Sequence, residues 1–254
     1  MRELQFFNIL LLVFAGTGAV VFILLFFVSA PYGRHSRPGW GSCMSNRMGW
    51  LWMEAPASVL FFLYFLMGVR KTEIVPILFL VLWQSHYLYR AFFYPFTLPK
   101  KRSMPSTVVF FAVMFNILNT YIQGRWIFTF SPDTAYTADW ITDPRFLVGV
   151  VMFYLGAAFN RHADGRLRIL RKSGGPEYAI PQKGLFRWIS CPNYFGEIIQ
   201  WFGWAIAVWA LPGLVFALWT VANLLPRARS HHLWYKNNFA DYPRERKALV
   251  PFIY

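Results

Sequence analysis

Asn193 and Glu197 stand one helical turn apart in FRWISCPNYFGEIIQW, residues 186–201, so both face the same way at the mouth of an apolar run. A carboxylate placed there needs a partner or a job. Asn160, Asp164, Arg168 and Arg171 recur at i, i+4, i+8 and i+11, and Arg227, His231 and Tyr235 repeat at the same helical spacing. Each stripe sets fixed cations beside amide, carboxylate or ring groups. A basic surface near anionic lipid accounts for the cations but not for Asn160 and Asp164 on the same stripe. A phosphate-rich ligand accounts for both. Arginines fork onto phosphate oxygens, while the carboxylate and amide hydrogen-bond a ribose or a base.

The elements that carry these residues are apolar. Hydrophobic residues make up 57% of the 254 and charged ones only 14%, which places the chain in the membrane class. Aromatics at 20% suit membrane interfaces, and the net charge of +14 falls between apolar runs, so it reads as topology rather than nucleic-acid binding. Cys43 and Cys191 give no disulfide framework and no metal-ligand spacing, and both read as structural. The hydrophobic runs predict seven transmembrane helices: 6–30, 48–69, 74–96, 106–130, 146–160, 194–210 and 212–225. A tight turn at Leu211-Pro212-Gly213 joins the last two. Odd loops and the tail are rich in Lys and Arg, whereas the second loop is short and the fourth carries Asp133, Asp139 and Asp143 against Arg145. The amino terminus is therefore expected outside and the carboxyl terminus in the cytoplasm. The expected fold is all-α, a multi-pass integral membrane protein with one membrane-embedded domain over residues 1–254. No separate soluble domain and no internal repeat is visible.

This topology sets depth. Glu54 lies roughly 9 Å into the second helix from its cytoplasmic end, and Tyr87 and Arg90 lie roughly 9 to 14 Å from the cytoplasmic end of the third. His86 and Arg90 share a face at i, i+4, and Tyr87 adjoins it. Asn116 and Asn119 on the fourth helix serve equally well as interhelical glue or as pocket wall. Separate helices thus place polar groups in one layer of the cytoplasmic half, as a pocket opening inward would require. Glu54 on its own is also compatible with a plain helix-packing ion pair with a neighbouring arginine.

At these residues the chain resembles the steroid 5α-reductase family. The likeness is strongest from Phe146 onward, through NRHADGRLRILRK, YAIPQKGLF, NYFGEIIQWFGWA and RARSHHLWYKNNFADYPRERKALVPFIY. Upstream it includes PYGRH at 31–35, the WxxxE of Trp50 and Glu54, and HYLYRAFFY at 86–94. The resemblance implies a multi-helix membrane reductase that uses NADPH to reduce the carbon–carbon double bond of a 3-oxo-4-ene steroid. It assigns Glu54 and Tyr87 to the substrate ketone as catalytic residues, with Trp50 beside the steroid. It assigns Arg90, Asn160, Asp164, Arg168, Arg171, Tyr178, Asn193, Glu197, Arg227, His231 and Tyr235 to the NADPH site. Residues 1–130 would then mainly hold the substrate and residues 146–254 the cofactor. One departure from the family pattern is Met53, where relatives commonly carry Gln.

Reduction of an enone puts negative charge on the ketone oxygen, so donors aimed there are the main catalytic device. Tyr87 supplies an O–H, and Glu54 helps when it is protonated or shares a proton with Tyr87. The proton donor to the α-carbon is not identifiable from the sequence. The expected partners are a lipophilic steroid and membrane lipid, with no metal and no nucleic acid, and the chain is expected to be a monomer. The membrane would be the inner membrane in a bacterium or the endoplasmic reticulum in a eukaryote, with the cofactor site cytoplasmic. Competing readings are a reductase of a 2-enoyl thioester or sterol alkene, an isoprenylcysteine methyltransferase, and a non-enzymatic sterol- or lipid-binding protein. Arginine stripes would be idle in the last.

Overall fold

The computed structural model describes residues 2–99, 102–172 and 179–254, with backbone alone at Arg171 and Lys172. The side chain of Arg171 and the whole of Tyr178 lie outside the described residues. The chain is mostly helical. Its helices are α1 (Arg2–Phe27), α2 (Asn46–Met67), α3 (Ile74–Leu88), α4 (Tyr94–Thr97), α5 (Ser106–Arg125), α6 (Pro144–Lys172), α7 (Pro192–Val208) and α8 (Leu211–Asn238). Among the described residues, five helical segments are long and apolar enough to cross a membrane: Arg2–Phe27, Asn46–Met67, Ser106–Phe130, Pro144–Leu170 and Leu211–Asn238. The expected seven therefore reduce to five on this measure. The α-helical part of α3 stops at Leu88, where a π-helical turn over Tyr89–Phe93 takes over, and α7 has only 17 residues.

The chain forms two compact units, residues 1–16 with 30–147 and residues 17–29 with 148–254, so α1 contributes its first half to one and its second half to the other. In the first unit, two short antiparallel strands, β1 (Cys43–Ser45) and β2 (Ser103–Pro105), bring the starts of α2 and α5 together. Gly49 meets Val109, Met53 O accepts from Asn116, and Gly124 meets Tyr64. Contacts thus advance along both helices in the same sense, and α2 and α5 run parallel. Helix α3 returns antiparallel to α2: Trp83 Nε1 donates to Ala57 O at 2.8 Å, and Ser58 Oγ donates to Gln84 Oε1 at 2.6 Å. The core between them is aromatic, with Phe61 stacked on Trp83 at 4.4 Å and edge-on to Phe128 at 5.0 Å.

Arg70, counted in the sequence as a loop charge, is only 2% exposed. Its guanidinium forks onto Glu73 (2.6 Å), donates to Ser131 Oγ (2.6 Å) and Pro132 O (3.2 Å), and reaches Ala135 O. It ties the short loop after α2 to the loop after α5, and Glu73 balances its charge.

In the second unit α6, α7 and α8 alternate in direction. Helix α6 does not stop near Asn160 as expected but continues to Lys172, and α8 continues past Leu225 to Asn238. Both basic stripes are therefore helical. The turn between α7 and α8 is not at Leu211-Pro212-Gly213. It is made by Trp209, which takes a left-handed conformation with φ of 47°, while Pro212 falls in the first turn of α8, where its missing N–H is harmless.

Replacing Arg70 with Met strips Ser131, Pro132 O and Ala135 O of their donor. Thermal unfolding in detergent should show a loss of about 2 kcal/mol or more. Parent-like stability would show that the two loops hold without it.

Candidate functional site

The residues singled out in the sequence fall into a polar cluster in each unit. In the first, Arg90 Nε lies 3.8 Å from Glu54 Oε1, an ion pair just beyond hydrogen-bond length, with both side chains largely buried. The guanidinium stands 4.4 Å over the ring of Trp50 and 4.4 Å over that of Tyr94. Those rings meet edge-on at 5.2 Å. Arg90 is thus framed by two aromatic faces and a carboxylate, which suits a planar, weakly hydrated cation. The geometry comes from the π-helical turn, in which Tyr94 N bonds to Tyr89 O and the side-chain register shifts. The simple i, i+4 sharing of a face by His86 and Arg90 holds only while the helix is α, up to Leu88. Tyr87 precedes the turn, 3% exposed, with its ring 4.7 Å from Trp83 and 4.9 Å from His86.

Asn116 proves to be glue. Its Nδ2 donates to Met53 O at 2.6 Å, joining α5 to α2 beside Glu54. Asn119 is wholly buried on the same face of α5, where its Oδ1 accepts from Gln123 at 3.4 Å.

The second cluster is a chain of amides and carboxylates between α6 and α7. Asn160 Nδ2 donates to Asn193 O (3.0 Å) and to Glu197 Oε2 (3.2 Å), and Asn193 Nδ2 donates to Asp164 Oδ1 (3.1 Å). The two pairs singled out in the sequence, Asn160 with Asp164 and Asn193 with Glu197, are therefore one network. Arg168 follows Asp164 by one turn on α6, half-buried. On α8, Arg227 and His231 are half-buried one turn apart and Tyr235 is buried. His231 Nε2 lies 3.1 Å from the Tyr194 hydroxyl, and Tyr235 stacks on Tyr242 at 5.2 Å. Tyr94, Tyr194 and Tyr242 were missed as neighbours of the site. All three lie in the motifs quoted above, but nothing in their spacing marks them.

The network depends on how closely α6 and α7 approach. Gly149 and Gly156 on α6 face Gly203 and Gly196 on α7, each pair seven residues apart. A Cβ on Gly149 would stand 2.6 Å from Gly203 O, and one on Gly196 would stand 2.6 Å from Gly156 O. Backbone meets backbone, as small residues allow between membrane helices. Only at that separation can the short side chain of Asn160 reach Asn193 O.

An amide–carboxylate network with cations on the flanking helices fits a ligand with phosphates at one end and amide or hydroxyl donors at the other. Among the described residues no group of His, Cys, Asp and Glu is arranged to hold a metal.

Residues 102–254 match the family described as 3-oxo-5-alpha-steroid 4-dehydrogenase. The chain is 44% identical to a steroid 5-alpha-reductase of Gossypium hirsutum over 91% of either chain. It is 40% identical to the Arabidopsis thaliana protein of the same name, over 97% of this chain and 95% of that one. It is 36% identical to 3-oxo-5-alpha-steroid 4-dehydrogenase 1 of Homo sapiens, over 93% of this chain and 91% of that one.

The glycine contacts give a controlled test. Gly156→Ala and Gly196→Ala should each lower the thermal midpoint, with a loss of about 1–3 kcal/mol from overpacking. Gly165→Ala, in the same helix α6 but with nothing within 4 Å, should leave it unchanged or raise it. Equal effects at all three positions would remove the role given to close approach.

Proposed function

The chain belongs to the 3-oxo-5-alpha-steroid 4-dehydrogenase family of oxidoreductases, and from that premise we propose that it reduces the conjugated double bond of a 3-oxo-4-ene steroid with NADPH as reductant. The likeness to steroid 5-alpha-reductases along nearly the whole chain carries this reading. The two clusters support a division of labour within it. Glu54, Tyr87 and Trp50 take the ketone end of the steroid. Asn160, Asp164, Arg168, Arg171, Asn193, Glu197, Arg227, His231 and Tyr235 take the cofactor, together with Tyr178.

A bound nicotinamide supplies the hydride received by the enone β-carbon. The chain's residues polarise the ketone and position both ligands. Tyr87 directs its O–H at the ketone oxygen, where negative charge develops. Arg90 fixes Glu54 through the ion pair and Trp50 through its ring face, holding the ketone-side groups in one arrangement. The resemblance carries Arg90 to the cofactor, and its ion pair with Glu54 also ties it to the ketone-side groups of its own unit. Asn193 and Glu197 offer a donor and an acceptor to a carboxamide, and the arginines of α6 and α8 neutralise phosphates.

We further place the chain as a monomer in the endoplasmic reticulum membrane, since these relatives come from plants and mammals. Seven spans, an external amino terminus and a cytoplasmic cofactor site follow from the distribution of Lys and Arg. Parallel α2 and α5 agree with that alternation.

Glu54→Gln and Tyr87→Phe should each lower turnover of a 3-oxo-4-ene steroid about 10²-fold or more while NADPH binding stays near the parent value. Normal turnover by both would overturn the assignment, and preference for a 2-enoyl thioester in the same assay would move the substrate class. Arg171→Ala and Arg227→Ala should raise the apparent NADPH constant about tenfold. Equal loss with NADH would argue against either arginine reading the 2′-phosphate.

A further inference from the structure

A third polar cluster lies just before α7. Ser190 is buried, and its Oγ stands 2.6 Å from His232 Nδ1, 2.6 Å from the Tyr242 hydroxyl and 3.0 Å from Lys247 O. The carbonyl can only accept, so Ser190 Oγ is the donor to Lys247 O, while either hydroxyl serves as donor between Ser190 and Tyr242 and the role of His232 Nδ1 follows its tautomer. Burial raises the Tyr242 phenol above its ordinary value, which keeps it protonated.

The backbone around Ser190 is clipped to the carboxyl-terminal segment. Ser190 N donates to Lys247 O at 2.8 Å, Lys247 N donates to Trp188 O at 2.8 Å, and Cys191 N donates to Ala248 O at 3.2 Å. Two residues beyond Cys191 comes Asn193, whose carbonyl and amide hold Asn160 and Asp164. Tyr242 has a second attachment: its ring stacks on Tyr235, 5.2 Å away and tilted by only 10°. One phenol therefore touches α8 with its face and the lead-in to α7 with its hydroxyl.

We propose that Ser190, with Tyr242 and His232, is a positioning node that sets the first turn of α7 against α8 and so fixes the spacing between Asn193 and Tyr235. The node touches none of the reacting atoms and acts through those two residues. It rests on the reading of Asn193 and Tyr235 as cofactor ligands. Without the node, α7 and α8 still pack through Trp201 on Phe216, their rings 4.3 Å apart, so the helices remain while the first turn of α7 loses its register.

The test measures NADPH affinity of the full-length protein in detergent by quenching of tryptophan fluorescence, with thermal midpoints and steroid KM measured alongside. Tyr242→Phe deletes the hydroxyl and keeps the stacked ring. Both it and Ser190→Ala should weaken NADPH binding about tenfold with steroid KM within about twofold of the parent. Ser190→Thr retains the hydroxyl and should restore most of the affinity. Parent-like NADPH affinity in Tyr242→Phe and Ser190→Ala, with or without a lowered midpoint, would overturn the node. So would a Ser190→Thr variant as weak as Ser190→Ala, because the effect would then lie in packing. Asn193→Ala separates the two levels. If it weakens NADPH binding and the node variants do not, the node alone falls; if it too binds as the parent does, the cofactor assignment of α7 falls.

Discussion

The contact of α6 with α7 at two pairs of glycines is the constraint on which the polar network of the second unit depends. Ordinary side chains keep packed helices 8–10 Å apart, a gap an asparagine could not bridge with useful geometry. Glycines remove that spacer. Asn160 can then give one amide nitrogen to a main-chain carbonyl and to a carboxylate on the opposite helix. The gain is mutual: the hydrogen bonds stabilise a close approach that glycine alone, with its loss of backbone entropy, would favour less.

In the first unit the corresponding constraint is the disposition of cations. Arg70, Arg90 and Arg125 all lie next to apolar helices, and each has a carboxylate partner: Glu73 at 2.6 Å, Glu54 at 3.8 Å and Glu3 at 2.8 Å. The longest of these distances belongs to the pair at the proposed ketone site. Arg70 forks onto Glu73 and reaches main-chain carbonyls, whereas Arg90 meets its carboxylate loosely and is held instead by aromatic faces.

Much of this was legible in the residues. The periodicity of Asn160–Asp164–Arg168 and of Arg227–His231–Tyr235 marked shared helical faces, but the expected spans stopped with their apolar runs at Asn160 and Leu225, short of where α6 and α8 end. Asn193 and Glu197 were recognisable as a pair from their cost in an apolar context. The π-helical turns after Leu88 and Arg125 were not foreseeable, since an i, i+5 bond has no compositional marker. The glycines were visible only as two seven-residue spacings, meaningless until their helices are known to face each other. Ser190 was the least legible. Its partners lie 42, 52 and 57 residues away, and a lone serine before a helix reads as nothing more than a turn residue.

Glu54 and Glu197, both half-buried, illustrate how partner type would divide the proposed chemistry. Glu54 faces a guanidinium, so its site carries little net charge and a positive edge, suited to an oxygen that becomes negative during reaction. Glu197 meets the neutral amide of Asn160, with the Asn193–Asp164 pair beside it. A ligand that brings a hydrogen-bond donor suits that network, and the carboxamide of the proposed cofactor carries one. In the proposed division of labour, the residue opposite each glutamate, a guanidinium for Glu54 and an amide for Glu197, is what distinguishes the two sites.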